Sequence, residues 1–239
     1  MAGLVQALAD LVLPAACAGC GGDSPDLNYG VCPPCVRLVE RLEPMSARPD
    51  PAPEGLPPTV TLGEYGGVLR ELIIGFKDRG RHRLGRPLGG LLAEAVVAAV
   101  PPRVPVLLLY VPDTAAAARQ RHGDHMRRLA TLAAARLRDS GRFAAASRAL
   151  TARPAVADSA GLTQIQRAEL AQERFVVRQR GIARTRDLAG QAAVVLADDI
   201  MTTGSTLAAA AQVLAASGIS VAACATLAAT RRRLPGLIT

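Results

Sequence analysis

The chain has 239 residues, half of them apolar and 3% aromatic, with no tryptophan and a formal net charge of +8. That length accommodates one full α/β core with a small appendage, and so few aromatics argue against a surface that stacks the bases of single strands. No run reaches the roughly eighteen apolar residues of a membrane span, and the positive charge is almost all arginine, Lys77 being the sole lysine.

In chain order, Leu4, Leu8 and Leu11 with Val5 and Val12 mark one face of a short amphipathic helix ended by Pro14. Asp10 inside the apolar stretch and the missing basic start argue against a secretory leader, so the expected location is cytoplasmic. Two knuckles follow, Cys17-x-x-Cys20 and Cys32-x-x-Cys35, eleven residues apart. Each places two thiolates on one ion, and together they complete a tetrahedral four-sulfur shell suited to structural Zn²⁺. Iron in a similar shell, a metal-free knuckle and a pair of disulfides are the alternatives; the last needs an oxidising compartment. Cys224, in an apolar run, reads as a small core residue.

Val36 to Leu42 extends the metal lobe as a helix, and Pro44, Pro49, Pro51, Pro53, Pro57 and Pro58 then exclude regular structure. Three parts result: residues 1–43 (helix and four-cysteine ribbon), a proline-rich linker over 44–58, and a main domain over 59–239. In the last, strands are expected at Val60 to Tyr65, Val106 to Val111, Arg148 to Thr151, Phe175 to Arg178, Gln191 to Ala197 and Ile219 to Leu227. Helices are expected at Val68 to Phe76, Leu84 to Val100, Gly123 to Leu137 and Ser205 to Ala216. Alternating strands and helices predict an α/β fold with a doubly wound, mostly parallel sheet.

The most informative segment is Val194-Val195-Leu196-Ala197-Asp198-Asp199-Ile200-Met201-Thr202-Thr203-Gly204-Ser205-Thr206. A buried strand ends at two acids, and a hydroxyl-rich loop runs into an alanine-rich helix. The loop can aim backbone N–H groups and the hydroxyls of Thr202, Thr203, Ser205 and Thr206 at a phosphate, with the helix N-terminal partial charge behind them. Gly204 permits close backbone approach. Asp198 and Asp199, at the carboxyl end of a strand in an open α/β sheet, suit sugar hydroxyls. Two acids beside an anion cradle fit a phosphorylated sugar; direct Mg²⁺ binding by the acids alone, as in receiver-like folds, leaves the cradle without a role.

This segment resembles the 5-phosphoribosyl-1-pyrophosphate (PRPP) signature of type I phosphoribosyltransferases. Its late position behind a cysteine-rich N-terminus resembles the competence-associated ComF family, with a zinc ribbon before the transferase domain. The resemblance implies PRPP binding by Asp198, Asp199, Thr202, Thr203, Gly204, Ser205 and Thr206, with Mg²⁺ bridging pyrophosphate and ribose hydroxyls. Val111-Pro112 followed by Arg119-Gln120-Arg121-His122-Gly123-Asp124-His125 resembles the family's pyrophosphate loop, which implies phosphate contacts from Arg119 and Arg121. This chain departs from that pattern in placing His122 and Asp124 at the glycine and asparagine slots, and His122 and His125 otherwise read as solvent-facing residues of a first helical turn. Lys77 resembles the family's lysine in a K-x-x-G turn, its alternative being a solvated residue at a helix end. Asp158-Ser159-Ala160-Gly161-Leu162 and Arg167 resemble a loop that closes over PRPP, with Arg167 beside Asp198 and Asp199 as a catalytic candidate.

Two functions follow as expectations. One is phosphoribosyl transfer with pyrophosphate release to an unidentified acceptor. The other is a non-catalytic competence or DNA-processing factor that binds single-stranded DNA and competence or recombination proteins, drawing on the basic charge and the Arg231-Arg232-Arg233 tail. An arginine-rich, alanine-rich composition also arises from a GC-rich genome, and PRPP itself calls for basic residues.

Overall fold

In the computed structural model, residues 16–154 and 173–230 are described. The expected N-terminal helix, the Asp158 to Leu162 segment, Arg167 and the Arg231 to Arg233 tail lie outside them.

Six strands form the main sheet: β1 (Met45–Ser46), β2 (Thr59–Glu64), β3 (Val106–Tyr110), β4 (Ala144–Ser147), β7 (Ala193–Met201) and β8 (Ala223–Ala229), in the order β1-β2-β8-β7-β3-β4. Only β1 runs antiparallel. A separate hairpin pairs β5 (Leu150–Ala152) with β6 (Phe175–Val177). The helices are α1 (Pro33–Glu40), α2 (Gly67–Lys77), α3 (Gly85–Ala99), α4 (Ala115–Gln120), α5 (His125–Asp139), α6 (Ile182–Ala189) and α7 (Ser205–Ala215).

The interior strand β3 reads Val-Leu-Leu-Leu-Tyr and is buried at every position, as parallel strands covered on both faces require. Alternation along β7 sorts two cores. Val195 and Ala197 pack with α3 and α5, whereas Val194 and Leu196 pack with α7. The alanine-rich buried face of α7, Ala208 to Ala211 flanked by Leu207 and Leu214, lets that helix lie close on the sheet.

Four findings depart from expectation. Strand β7 continues through the two acids to Met201, so both belong to the paired sheet. Edge strand β4, which has no β-branched residue, and helices α4 and α6 have no counterpart in the sequence reading. The proline-rich stretch is not free of regular structure: Met45–Ser46 pairs with Thr61 and Val60, and Leu56 is buried against α7. The metal lobe shares the main core, because Cys17, Val31, Cys32, Cys35 and Val39 cluster with Leu69 and Leu72 of α2. Arg81 also donates to the carbonyl of Ala16 at 2.8 Å.

Candidate functional site

The loop after β7 is held at its start by Thr230 N–H donating to Met201 O at 2.9 Å. Gly204 sits at φ +76° as the N-cap of α7, and a Cβ there would meet Leu56 Cδ2 at 2.9 Å and Pro49 Cγ at 3.3 Å. Both the left-handed backbone and the space therefore require glycine, and the proline-rich segment forms a wall beside the loop. The first intrahelical bond runs from Ala208 N to Gly204 O. Backbone N–H groups ahead of it face the loop opening with the helix's positive end behind them. Thr202, Thr203 and Ser205 are exposed, and Thr203 Oγ1 lies 3.0 Å from Ser205 Oγ. The hydroxyls and N–H groups expected to cradle an anion are thus brought together in one short turn.

The two acids have different surroundings. Asp199 is 4% exposed and lies on the α5 side of the sheet. Its Oδ2 accepts from Lys77 Nζ at 2.6 Å and lies 2.9 Å from His125 Nε2. The other ring nitrogen of His125 is 2.5 Å from Asp113 Oδ2, and Asp113 Oδ1 accepts from Arg121 at 2.9 Å. Arg121 Nε reaches Asp78 Oδ1 at 3.0 Å, completing an alternating chain of six charged side chains that joins the end of α2, the loop before α5 and β7. Burial opposes the charged form of Asp199, but His125 and Lys77 outweigh it and hold its pKa below the ordinary carboxylate range. Burial likewise disfavours protonated His125, yet Asp113 and Asp199 raise its pKa to about 9.

Asp198 faces the other side, beside Thr226 of β8. Its Oδ1 accepts from Asp199 N–H at 2.9 Å, and it has no ion pair among the described residues. Burial and the adjacent Asp199 carboxylate push its pKa up to about 8. Of the two acids, only Asp199 is tied into the charged chain. Both acids read from the sequence as contacts for sugar hydroxyls, whereas Asp199 is instead held in a buried network with Lys77 and His125.

Around the expected pyrophosphate loop, Arg119 is exposed in the last turn of α4, whereas Arg121 is taken up by Asp113 and Asp78. His122 is exposed at φ +57°. The solvent-facing reading of His125 is overturned: it is 9% exposed and bridges two carboxylates. Lys77 is not simply a solvated helix end either, since it pairs with Asp199. Asp78 and His125 were not legible as site residues, for Arg121 lies 43 positions from Asp78 and Asp199 lies 74 from His125; Asp113 has nearer partners, at 8 and 12 positions, but they meet it only through the turn between α4 and α5. The only sequence signal for Asp113 was its place directly after Val111-Pro112.

The four cysteines converge. Their sulfurs all lie within 4.8 Å of one another, and Cys20 Sγ is 3.8 Å from Cys32 Sγ. A tetrahedron with metal–sulfur distances of about 2.3 Å has edges of about 3.8 Å, so the set fits zinc. Cys17 Sγ accepts from the N–H groups of Gly19 (3.3 Å) and Cys32 (3.2 Å). Although burial works against the thiolate, such backbone donors bring the Cys17 pKa down to about 6. Cys17, Cys20, Cys32 and Cys35 could therefore hold a structural zinc ion. Cys224 is fully buried, as expected of a core residue.

Among known families, the phosphoribosyl transferase domain model matches residues 144–235. The matched segment runs from β4 to just past β8 and contains Asp198, Asp199 and the loop at 202–206; the metal lobe, Lys77, Arg121 and His125 lie before it. No curated protein matches the chain. The chain thus carries a phosphoribosyltransferase-like domain within a mostly parallel α/β sheet, alongside a four-cysteine lobe. No described helix is long and apolar enough to cross a membrane.

Proposed function

We propose that the chain binds PRPP and transfers its phosphoribosyl group to an acceptor, with release of pyrophosphate. The observation that carries this reading is the loop at 202–206 at the carboxyl end of β7, within the segment matched by the transferase domain model. In this reading Thr202, Thr203, Ser205 and Thr206 hold the 5-phosphate with the N-terminal N–H groups of α7. Asp198 accepts hydrogen bonds from the ribose hydroxyls, and Asp199, fixed by Lys77 and His125, sets the orientation of the strand end. Arg119 is available for the pyrophosphate; Arg121 contributes a second contact only through the guanidinium nitrogen not engaged by Asp113 or Asp78.

The acceptor forms a bond to the anomeric carbon while the bond from that carbon to the pyrophosphate oxygen breaks, pyrophosphate leaving with the electron pair. Asp198, unpaired among the described residues, is the carboxylate that would serve a Mg²⁺ ion, which supplies charge neutralisation for the leaving group when bound. Arg167 remains the candidate for a residue brought in by loop closure.

The test is pyrophosphate release, measured with PRPP and Mg²⁺ across nucleobases, amines and phenolic acceptors. A signal that depends on acceptor and disappears in Asp198→Asn supports transfer. PRPP binding without release by any acceptor favours a binding protein built on the same fold. Participation in competence, with DNA-processing partners, is the finer reading that the family resemblance suggests.

A further inference from the structure

Two clefts away from the phosphate loop are lined by arginines. The first, about 850 Å³, lies between the metal lobe and α3 and α5, and Arg83, Arg86, Arg127 and Arg128 line it. The second, about 530 Å³, runs along edge strand β4 to the start of α6, where Arg127, Arg148, Arg178, Arg180 and Arg184 line it. Arg127 and Thr131 belong to both walls, so the clefts adjoin and set the eight arginines along one track on the surface. None of these eight arginines forms an ion pair among the described residues. The single carboxylate in either wall is Asp124, whose pKa is raised by burial and whose Oδ1 accepts from Arg127 N–H as the cap of α5. Gly181, at φ +84°, opens the N-terminus of α6 into the second cleft. Neither wall contains Asp198, Asp199 or the loop at 202–206.

We propose that this track binds a chain of phosphates. Eight guanidinium groups strung along two joined clefts are too many and too spread for one phosphate or pyrophosphate, and they suit a ligand that repeats its charge. Guanidinium forks grip phosphate oxygens in bidentate fashion and are less strongly hydrated than ammonium, so these side chains suit a run of phosphates. The walls contain two tyrosines, Tyr29, 40% exposed, and Tyr110, buried. With one accessible ring the track reads backbone and not base, so binding is independent of sequence. The phosphate chain can come from single-stranded nucleic acid or from inorganic polyphosphate.

The experiment uses the full-length, metal-loaded protein, fluorescence anisotropy with a labelled oligothymidylate, inorganic polyphosphate as competitor, and a salt series. On single strands each neutralised phosphate contributes about 0.7 to the log–log salt slope. Arg148→Ala/Arg178→Ala/Arg184→Ala should lower the slope by about two and the low-salt affinity roughly tenfold, whereas the matching triple lysine variant should keep most of the slope. Melting temperature and PRPP titration should stay at wild-type values, which separates failure here from failure of the PRPP reading. If the alanine variant does not fold, Arg83→Ala/Arg86→Ala/Arg128→Ala reads the other cleft with the same expectation. Full displacement by polyphosphate supports recognition of the phosphate chain itself, and partial displacement with tighter oligothymidylate binding supports nucleic acid as the source; oligothymidylate binding that polyphosphate leaves untouched contradicts recognition of the phosphate chain. A slope unmoved in both variants, or no binding of either polyanion at low salt, overturns the proposal.

Discussion

Asp198 and Asp199 are neighbours in sequence and sit on opposite faces of the central sheet. Asp199 is buried beneath α5, paired with Lys77 and His125, while Asp198 lies beside Thr226 on the α7 side without an ionic partner among the described residues. Strand geometry imposes the split, since consecutive side chains on a strand alternate faces. A motif that reads as two equivalent acids holds one locked into ion pairs and one without an ion pair among the described residues.

That difference predicts opposite effects of the two neutral substitutions. Asp199→Asn leaves Lys77 and His125 competing for one neutral oxygen inside a buried network and should lower the melting temperature by several degrees, because removing one partner of a buried charge pair is costly. Asp198→Asn removes a carboxylate that burial disfavours. At pH 9 it should melt about 2–4 °C above wild type, the shift expected of about 1 kcal/mol in a chain of this size. Differential scanning calorimetry of the two variants checks the contrast.

The pH dependence has a definite sign. His125 is raised to about 9, above its unfolded value of about 6.5. It therefore contributes stability that is complete below pH about 6.5 and is lost as pH rises through about 9. Asp198 is also raised, to about 8, but it is an acid. The folded chain binds its proton more tightly than the unfolded chain, so stability falls between pH about 4 and 8. Urea denaturation across pH 4–10 should show a decline through both windows. His125→Gln should flatten the upper part and Asp198→Asn the lower part.

The cysteine lobe should not behave as an independent unit. Cys17, Cys32 and Cys35 pack in the core that contains Leu69 and Leu72 of α2, and α2 ends at Lys77. Elemental analysis of chelator-free, reduced protein should find one zinc per chain. Cys32→Ser should release it and lower the melting temperature of the whole protein in a single transition. A separate low-temperature transition with an unchanged main peak would contradict this coupling.

Gly204→Ala tests the loop wall. The new Cβ would lie 2.9 Å from Leu56 Cδ2 in a left-handed backbone, which costs about 1–2 kcal/mol for an L-residue before the clash is counted. The variant should melt lower, and Leu56→Ala placed with it should recover part of the loss; denaturant titration of both reads the difference.

Much of the main domain was legible because its strands are continuous apolar runs and its longer helices carry clear apolar periodicity. Edge strand β4 escaped notice because Ala144-Ala145-Ala146-Ser147 has no β-branched or aromatic residue, and what makes it a strand is pairing with β3. The proline-rich stretch misled in the other direction, as Met45 and Ser46 pair at an edge where prolines nearby do no harm. At the site, the phosphate loop could be read because its residues are consecutive. The chain from Lys77 through Asp199, His125 and Asp113 to Arg121 could not, because it exists only after folding brings three segments together.

Calorimetric titration of the wild type and Asp198→Asn with PRPP, with and without Mg²⁺, is the most direct measurement. One PRPP should bind per wild-type chain, more tightly with Mg²⁺ and more tightly as pH rises through about 8, where Asp198 loses its proton; Asp198→Asn should bind none while remaining folded. No heat of binding by the wild type, or equal affinity in the two proteins, would contradict the account.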